Sequence, residues 1–216
     1  MKNEKGTDVP IPVRNPRPPG HVQRVGIFGG TFDPIHHGHL LLAEAALEQL
    51  DLDRILFIPA ALSPFKQDRP PGASPEQRVR MLRLATAAEP RFEVDDRELH
   101  REGPSFTLDT VRSLLWDHPG VRFLLLIGAD NLGELDRWHG IDELRNLVDF
   151  AVLDRDGDPA VASCGFPVVE RRIDLSSTEI RERLGQGLSV RFMVPAAVYE
   201  VIMTEHPYPD LSHGHA

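Results

Sequence analysis

One cysteine, Cys164, stands in the whole chain, so no disulfide can form within it, as suits a protein kept in a reducing compartment. A lone thiol of this kind is expected as a small buried or loop residue rather than a reactive group. No apolar stretch reaches the roughly 18 residues that a membrane-spanning helix needs. The start, Met1-Lys2-Asn3-Glu4-Lys5, lacks the apolar core of a secretory leader. The expectation is a cytoplasmic protein. Basic charge is also in deficit: 24 Lys and Arg face 33 Asp and Glu, a formal net charge of -9. Such a field repels nucleic acid and acidic membrane surfaces, so neither is expected as a partner, and an anionic ligand must be held by a local site.

What is present reads as one domain, since 216 residues are enough to bury a core without staples. Five prolines fall between Pro10 and Pro19, which marks residues 1–22 as a flexible arm ahead of a domain over 23–206. Residues 207–216 read as a polar tail, where His213 and His215 lack the further ligands of a metal site. Within the domain, short apolar runs alternate with amphipathic stretches. The strand candidates are Arg24 to Phe28, Arg54 to Pro59, Arg91 to Val94, Val121 to Ile127, Asp149 to Leu153 and Val168 to Arg172. Helices are expected over Leu40 to Leu50, Pro75 to Ala88, Thr107 to Trp116, Ile180 to Leu184 and from Pro195 to Thr204. Ser74-Pro75-Glu76-Gln77 and Ser176-Ser177-Thr178-Glu179 both carry the serine and the Gln or Glu of a capping box. This alternation predicts an α/β fold with a doubly wound, Rossmann-like parallel sheet, whose ligand crevice lies beyond the carboxyl ends of its strands.

The first strand-to-helix junction, Gly29-Gly30-Thr31-Phe32-Asp33-Pro34-Ile35-His36-His37-Gly38-His39, is the richest stretch. Gly29 and Gly30 let the backbone approach a ligand, and the N–H groups at the helix start offer donors to an anion. Neither a Gly-Lys-Ser/Thr phosphate loop nor a G-x-G-x-x-G turn is present, which sets aside the common nucleotide loops. His36 and His39 stand three apart, so at a helix start both rings point to one side, towards the same phosphate region. His37 faces elsewhere and is taken as structural.

Further along, Ser176, Ser177, Thr178 and Arg181 place three hydroxyls and a guanidinium at another helix start, an anion site or a plain cap with a surface arginine. Gly128 and Asp130 follow the most apolar strand, where open sheets read their ligands and where an aspartate can equally cap a helix. Trp138 is either a core residue or a face on which an aromatic ring stacks. Lys66 is either a phosphate contact or a solvated surface lysine.

Together these segments resemble the nucleotidylyltransferase superfamily, whose first-turn T/H-x-G-H is matched by His36-His37-Gly38-His39. The longer string from Gly29 to His36 is similar to the bacterial nicotinate-nucleotide adenylyltransferases. Ser176 to Arg181 matches that family's second phosphate motif, and Gly128-Ala129-Asp130 its G-x-D motif. Two departures stand out: Phe65 precedes Lys66 where the family has His, and Phe106 replaces Tyr. The resemblance covers about Arg24 to Met203. It implies transfer of AMP from ATP to nicotinate mononucleotide, with ATP and the mononucleotide as partners. His36, His39, Lys66 and Arg181 would be the catalytic donors. Gly29, Gly30, Thr31, Phe32, Gly38, Gly128, Asp130, Ser176, Ser177 and Thr178 would bind ATP. Phe106, Thr107 and Trp138 would receive the nicotinate nucleotide. Mg²⁺ would arrive with the triphosphate, because the motifs contain no carboxylate cluster to cage a metal. A homo-oligomer is left open.

Overall fold

The computed structural model describes residues 17–18, 20–61, 71–157 and 159–208. Most of the arm, Phe65, Lys66 and the tail from Pro209, with its two histidines, lie outside the described residues. The strands are β1 (Arg24–Gly30), β2 (Arg54–Pro59), β3 (Phe92–Val94), β4 (Arg122–Gly128), β5 (Asp149–Asp154) and β6 (Val168–Glu170). All five neighbouring pairs are parallel, in the order β3-β2-β1-β4-β5-β6. The strand order reverses between β1 and β4, so the crevice opens where their carboxyl ends diverge, at Gly30 and Gly128.

Successive side chains on a strand face opposite ways, and the two cores follow from that alternation. Phe28, Leu124 and Leu126 face one layer, with α1 (His37–Gln49), α2 (Pro75–Thr86), α5 (Ser177–Gly185) and α6 (Ala196–Glu205). Val25, Ile27, Phe123, Leu125 and Ile127 face the other, with α3 (Thr107–Asp117) and α4 (Ile141–Leu147). Burying each such side chain contributes roughly 1.5–3 kcal/mol, enough to make the strand register unique, because a one-residue slip would expose every one of them.

The expected helices form, with differences. α1 begins at His37 rather than Leu40, so the histidine motif lies within its first turn and not ahead of it. α4 and three 3₁₀ segments, at Arg97–His100, Ala129–Arg137 and Pro159–Ser163, were not anticipated. α4 has only seven residues, too few for a helical period to stand out. β6 ends at Glu170, two residues early. The last arginine of the arm, Arg17, reaches back to Asp53 through Nε at 2.7 Å and to Asp51 through Nη1 at 2.7 Å. It is fastened at the end of the sheet away from the crevice.

Candidate active site

The β1–α1 turn brings His36 and His39 face to face, with ring centroids 3.8 Å apart and an interplanar angle of 32°. The main-chain N–H of His36 donates to Nδ1 of His39 at 3.3 Å. In a neutral ring that leaves the proton on Nε2 of His39. Burial pushes His36 down to about 3, helped by the charges of Arg155 and His37. Burial also holds His39 well below its ordinary value, with His36 and Arg155 adding to it. Both rings are therefore neutral near pH 7 and offer hydrogen bonds rather than charge. Gly38 is needed beside them: a Cβ there would stand 2.9 Å from Cε1 and Nδ1 of His36. His37 is exposed, and its N–H is spent on the Met193 carbonyl.

Gly29 has open space where its Cβ would be, whereas a Cβ on Gly30 would press on the Phe32 ring at 3.0 Å. Thr31 is half-buried. Phe32 turns its ring inward against Phe28 and His39, with centroids 5.6 Å and 5.1 Å away. Only its main chain is left to meet a ligand. The residue has a positive φ of 49°, a conformation held here by the packing of its ring.

The second motif is bolted to this turn. Ser176 caps α5 by accepting from the N–H of Glu179 at 3.1 Å, the serine half of the anticipated box, worth about 1 kcal/mol. Ser177 donates its hydroxyl proton to the Pro34 carbonyl at 2.9 Å. With that proton directed at Pro34, Ser177 ties α5 to the β1–α1 turn. Among the described residues the hydroxyls of Ser176 and Thr178 act as acceptors. Arg181 donates from Nη1 to the Asp33 carbonyl at 2.6 Å and from Nη2 to Thr178 at 3.2 Å. Asp33 is 4% exposed. Its carboxylate accepts from the N–H groups of Gly72 and Ala73 at 2.8 and 3.0 Å and from the Tyr208 hydroxyl at 2.9 Å.

At the end of β4, a Cβ on Gly128 would collide with the Asp130 carboxylate, so the glycine allows that carboxylate to fold back over the strand end. Asp130 is exposed and accepts from the Asn131 side chain at 3.1 Å. The Phe106 ring lies 4.5 Å from that of His139 at 35°, so the loop ahead of α3 meets the segment carrying Trp138. Trp138 is half-buried against the second core. Phe106 stands at the N-cap of α3 without a side-chain cap bond. The first N–H groups of that helix, from Thr107 on, therefore have no capping side chain. The loop is held from below: Ser105 Oγ accepts from the Ala61 N–H at 3.0 Å, and buried Glu98 accepts from Thr110 at 2.6 Å. Burial holds Glu98 above its ordinary value, against the opposing pull of Thr110 and Ser105.

Two arginines at the site escaped the reading of the sequence. Arg155 follows β5, and its carbonyl accepts from Ile173, whose side chain would be 3.2 Å from a Cβ on Gly38. Its charge is felt by both histidines. A charged residue just past a strand's carboxyl end was the available signal. Arg78 is wholly buried on the apolar side of α2 with Met81 and Leu82; a cation in phase with apolar residues was the signal there. Cys164 is half-buried near the second core.

Residues 27–183, a span that includes the histidine turn, match the model of the cytidylyltransferase-like family. A protein of Herpetosiphon aurantiacus named "Probable nicotinate-nucleotide adenylyltransferase" is 42% identical over 198 residues, covering 87% of this chain and 99% of its own. One of the same name from Geobacillus kaustophilus is 46% identical over 178 residues, 81% of each chain. The chain belongs to the nicotinate-nucleotide adenylyltransferase family. The nicotinic acid mononucleotide adenylyltransferase of Plasmodium falciparum, solved in complex with NaAD, has the same fold, with a TM-score of 0.72 over 86% of this chain and 97% of that one at 17% identity.

Proposed function

We propose that the cleft between the β1–α1 turn, the end of β4 and the start of α5 carries out the family's reaction: AMP passes from ATP to nicotinate mononucleotide, giving the deamido dinucleotide and pyrophosphate in NAD biosynthesis. The observation that carries this reading is the joining of the two phosphate motifs. Ser177 on Pro34 and Arg181 on Asp33 hold α5 against the first turn, which supports a shared phosphate site served by the hydroxyls, the guanidinium and the two imidazoles.

The reaction needs no enzyme nucleophile. The 5′-phosphate of the mononucleotide has a second pKa near ~6 and is largely dianionic at neutral pH. It attacks the α-phosphorus of ATP in line with departing pyrophosphate, and catalysis consists of alignment and stabilisation of the growing charge. The neutral His39 and His36 donate hydrogen bonds to phosphate oxygens. Thr178 donates its hydroxyl proton. Arg181, and Lys66 from the segment outside the described residues, bring positive charge. Gly29, Gly30, Thr31 and Gly38 line the path of the triphosphate, and Gly128 and Asp130 lie on its ribose side. The unfilled N–H groups at the start of α3 suit the nicotinate carboxylate, with Thr107 beside them and Phe106 and Trp138 flanking the ring. The donors gathered here hold phosphate oxygens rather than a hard cation, so Mg²⁺ is carried by the triphosphate, where it offsets charge on the leaving group. The partners are small nucleotides and not nucleic acid, and the setting is the cytoplasm. Among the described residues no helix is long and apolar enough to cross a membrane.

The test is pyrophosphate release from ATP and Mg²⁺ with nicotinate mononucleotide, nicotinamide mononucleotide and phosphopantetheine offered separately. Turnover is expected with the first and weak or none with the others. Preference for another acceptor would overturn the assignment of the α3 start to a carboxylate.

A further inference from the structure

Arg78 is 0% exposed, yet among the described residues it makes no ion pair and its Nε and Nη2 find no hydrogen-bond partner. The anion that acts on it most strongly, Asp33, has its carboxylate occupied by Gly72, Ala73 and Tyr208. Burying a cation on such terms costs several kcal/mol, which calls for a reason beyond filling space.

The reason lies in Nη1. It donates to two carbonyls at once, Thr31 at 2.8 Å and Ala60 at 2.9 Å. Both peptides are trans, so each carbonyl drawn into the core turns the next N–H the opposite way. After Thr31 comes the N–H of Phe32, on the turn where the triphosphate is read. After Ala60 comes the N–H of Ala61, which donates to Ser105 at 3.0 Å, immediately before Phe106 and Thr107. A single nitrogen thereby ties the phosphate turn to the acceptor loop. The Ala60 N–H, donating to the Gly30 carbonyl at 2.9 Å, closes the same link on the other side.

We propose that Arg78 is a positioning residue that holds the ATP turn and the acceptor loop in register for in-line transfer. The proposal rests on the adenylyl-transfer reading above, but not on which acceptor is used. Loss of the link leaves each substrate its own contacts and spoils their alignment, so the damage falls on kcat and spares both KM values.

The experiment compares Arg78→Met and Arg78→Lys with the wild-type enzyme, well below the unfolding midpoint of each, with turnover expressed per folded molecule. For R78M, kcat is expected to fall about 10²-fold with both KM values within about threefold, the scale of a misplacement near 1 Å. R78K keeps a cation and a donor and is expected to retain about a tenth of the rate. Wild-type kcat in folded R78M, a loss confined to the KM of one substrate, or failure of both variants to fold would each overturn the proposal. An inert wild-type enzyme instead fails the functional reading, which keeps the two apart.

Discussion

His39 carries the largest expectation for a single side chain. Its Nδ1 is taken by the His36 main chain and its Nε2 carries the proton, so it has one donor to give and no charge to lose. Removing one such donor from developing charge typically costs 10²–10³-fold in rate. His39→Ala is therefore expected to lower kcat by at least about 10²-fold while circular dichroism stays native. Near-wild-type turnover would remove His39 from the chemistry. His36 allows a prediction about stability. Its folded value, about 3, lies below the ordinary 6.5, so below pH 6.5 the unfolded chain binds the extra proton. Stability is full above pH 6.5 and is lost as the pH falls towards the folded value. The unfolding midpoint should decline between pH 6.5 and about 4, and His36→Asn should flatten that slope at the same protein concentration. An unchanged slope would show that burial of His36 is not what the acid limb reports.

At the scale of elements, the histidine pair depends on how α1 starts. Gly38 lies in its first turn, where alanine would favour the helix by up to about 1 kcal/mol. A Cβ would nonetheless stand 2.9 Å from the His36 ring and 3.2 Å from Ile173. Overpacking of this kind costs about 1–3 kcal/mol, so the clash outweighs the propensity. Gly38→Ala should lower the melting temperature by a few degrees and turnover by tenfold or more, because the ring must swing away from His39. A fully active, more stable variant would mean that the ring pairing is incidental. The same dependence explains Ser177. As a residue it reads as one hydroxyl among three, but α5 docks so closely on Pro34 that its proton is consumed in joining two elements. Phe106 behaves differently, since as the N-cap of α3 it makes no side-chain bond to the helix start.

For the molecule as a whole, much was legible because it is local. Two glycines after an apolar strand, serines ahead of α2 and α5, and the alternation of strand and helix each depend on neighbours a few residues away. Those patterns were sufficient for the sheet, its six strands and the crevice at its carboxyl edge. The charge balance, -9 over the chain, belongs with them, and with it the expectation that any anionic ligand must be held by a local site. Other features depend on contacts between distant segments. Arg181 and Asp33 are 148 positions apart, and Arg78 and Thr31 are 47. No periodicity records which carbonyl a guanidinium will meet. The neutrality of both histidines was likewise hidden, since it comes from desolvation by a core that exists only once β1, α1 and the end of β5 have packed together. What the sequence by itself determined is the order of the elements and the chemical kinds of group at their junctions. Only the tertiary structure decided which of those groups keep a free proton, which are neutral and which serve as struts, because hydrogen-bond partners and burial are properties of the packed chain.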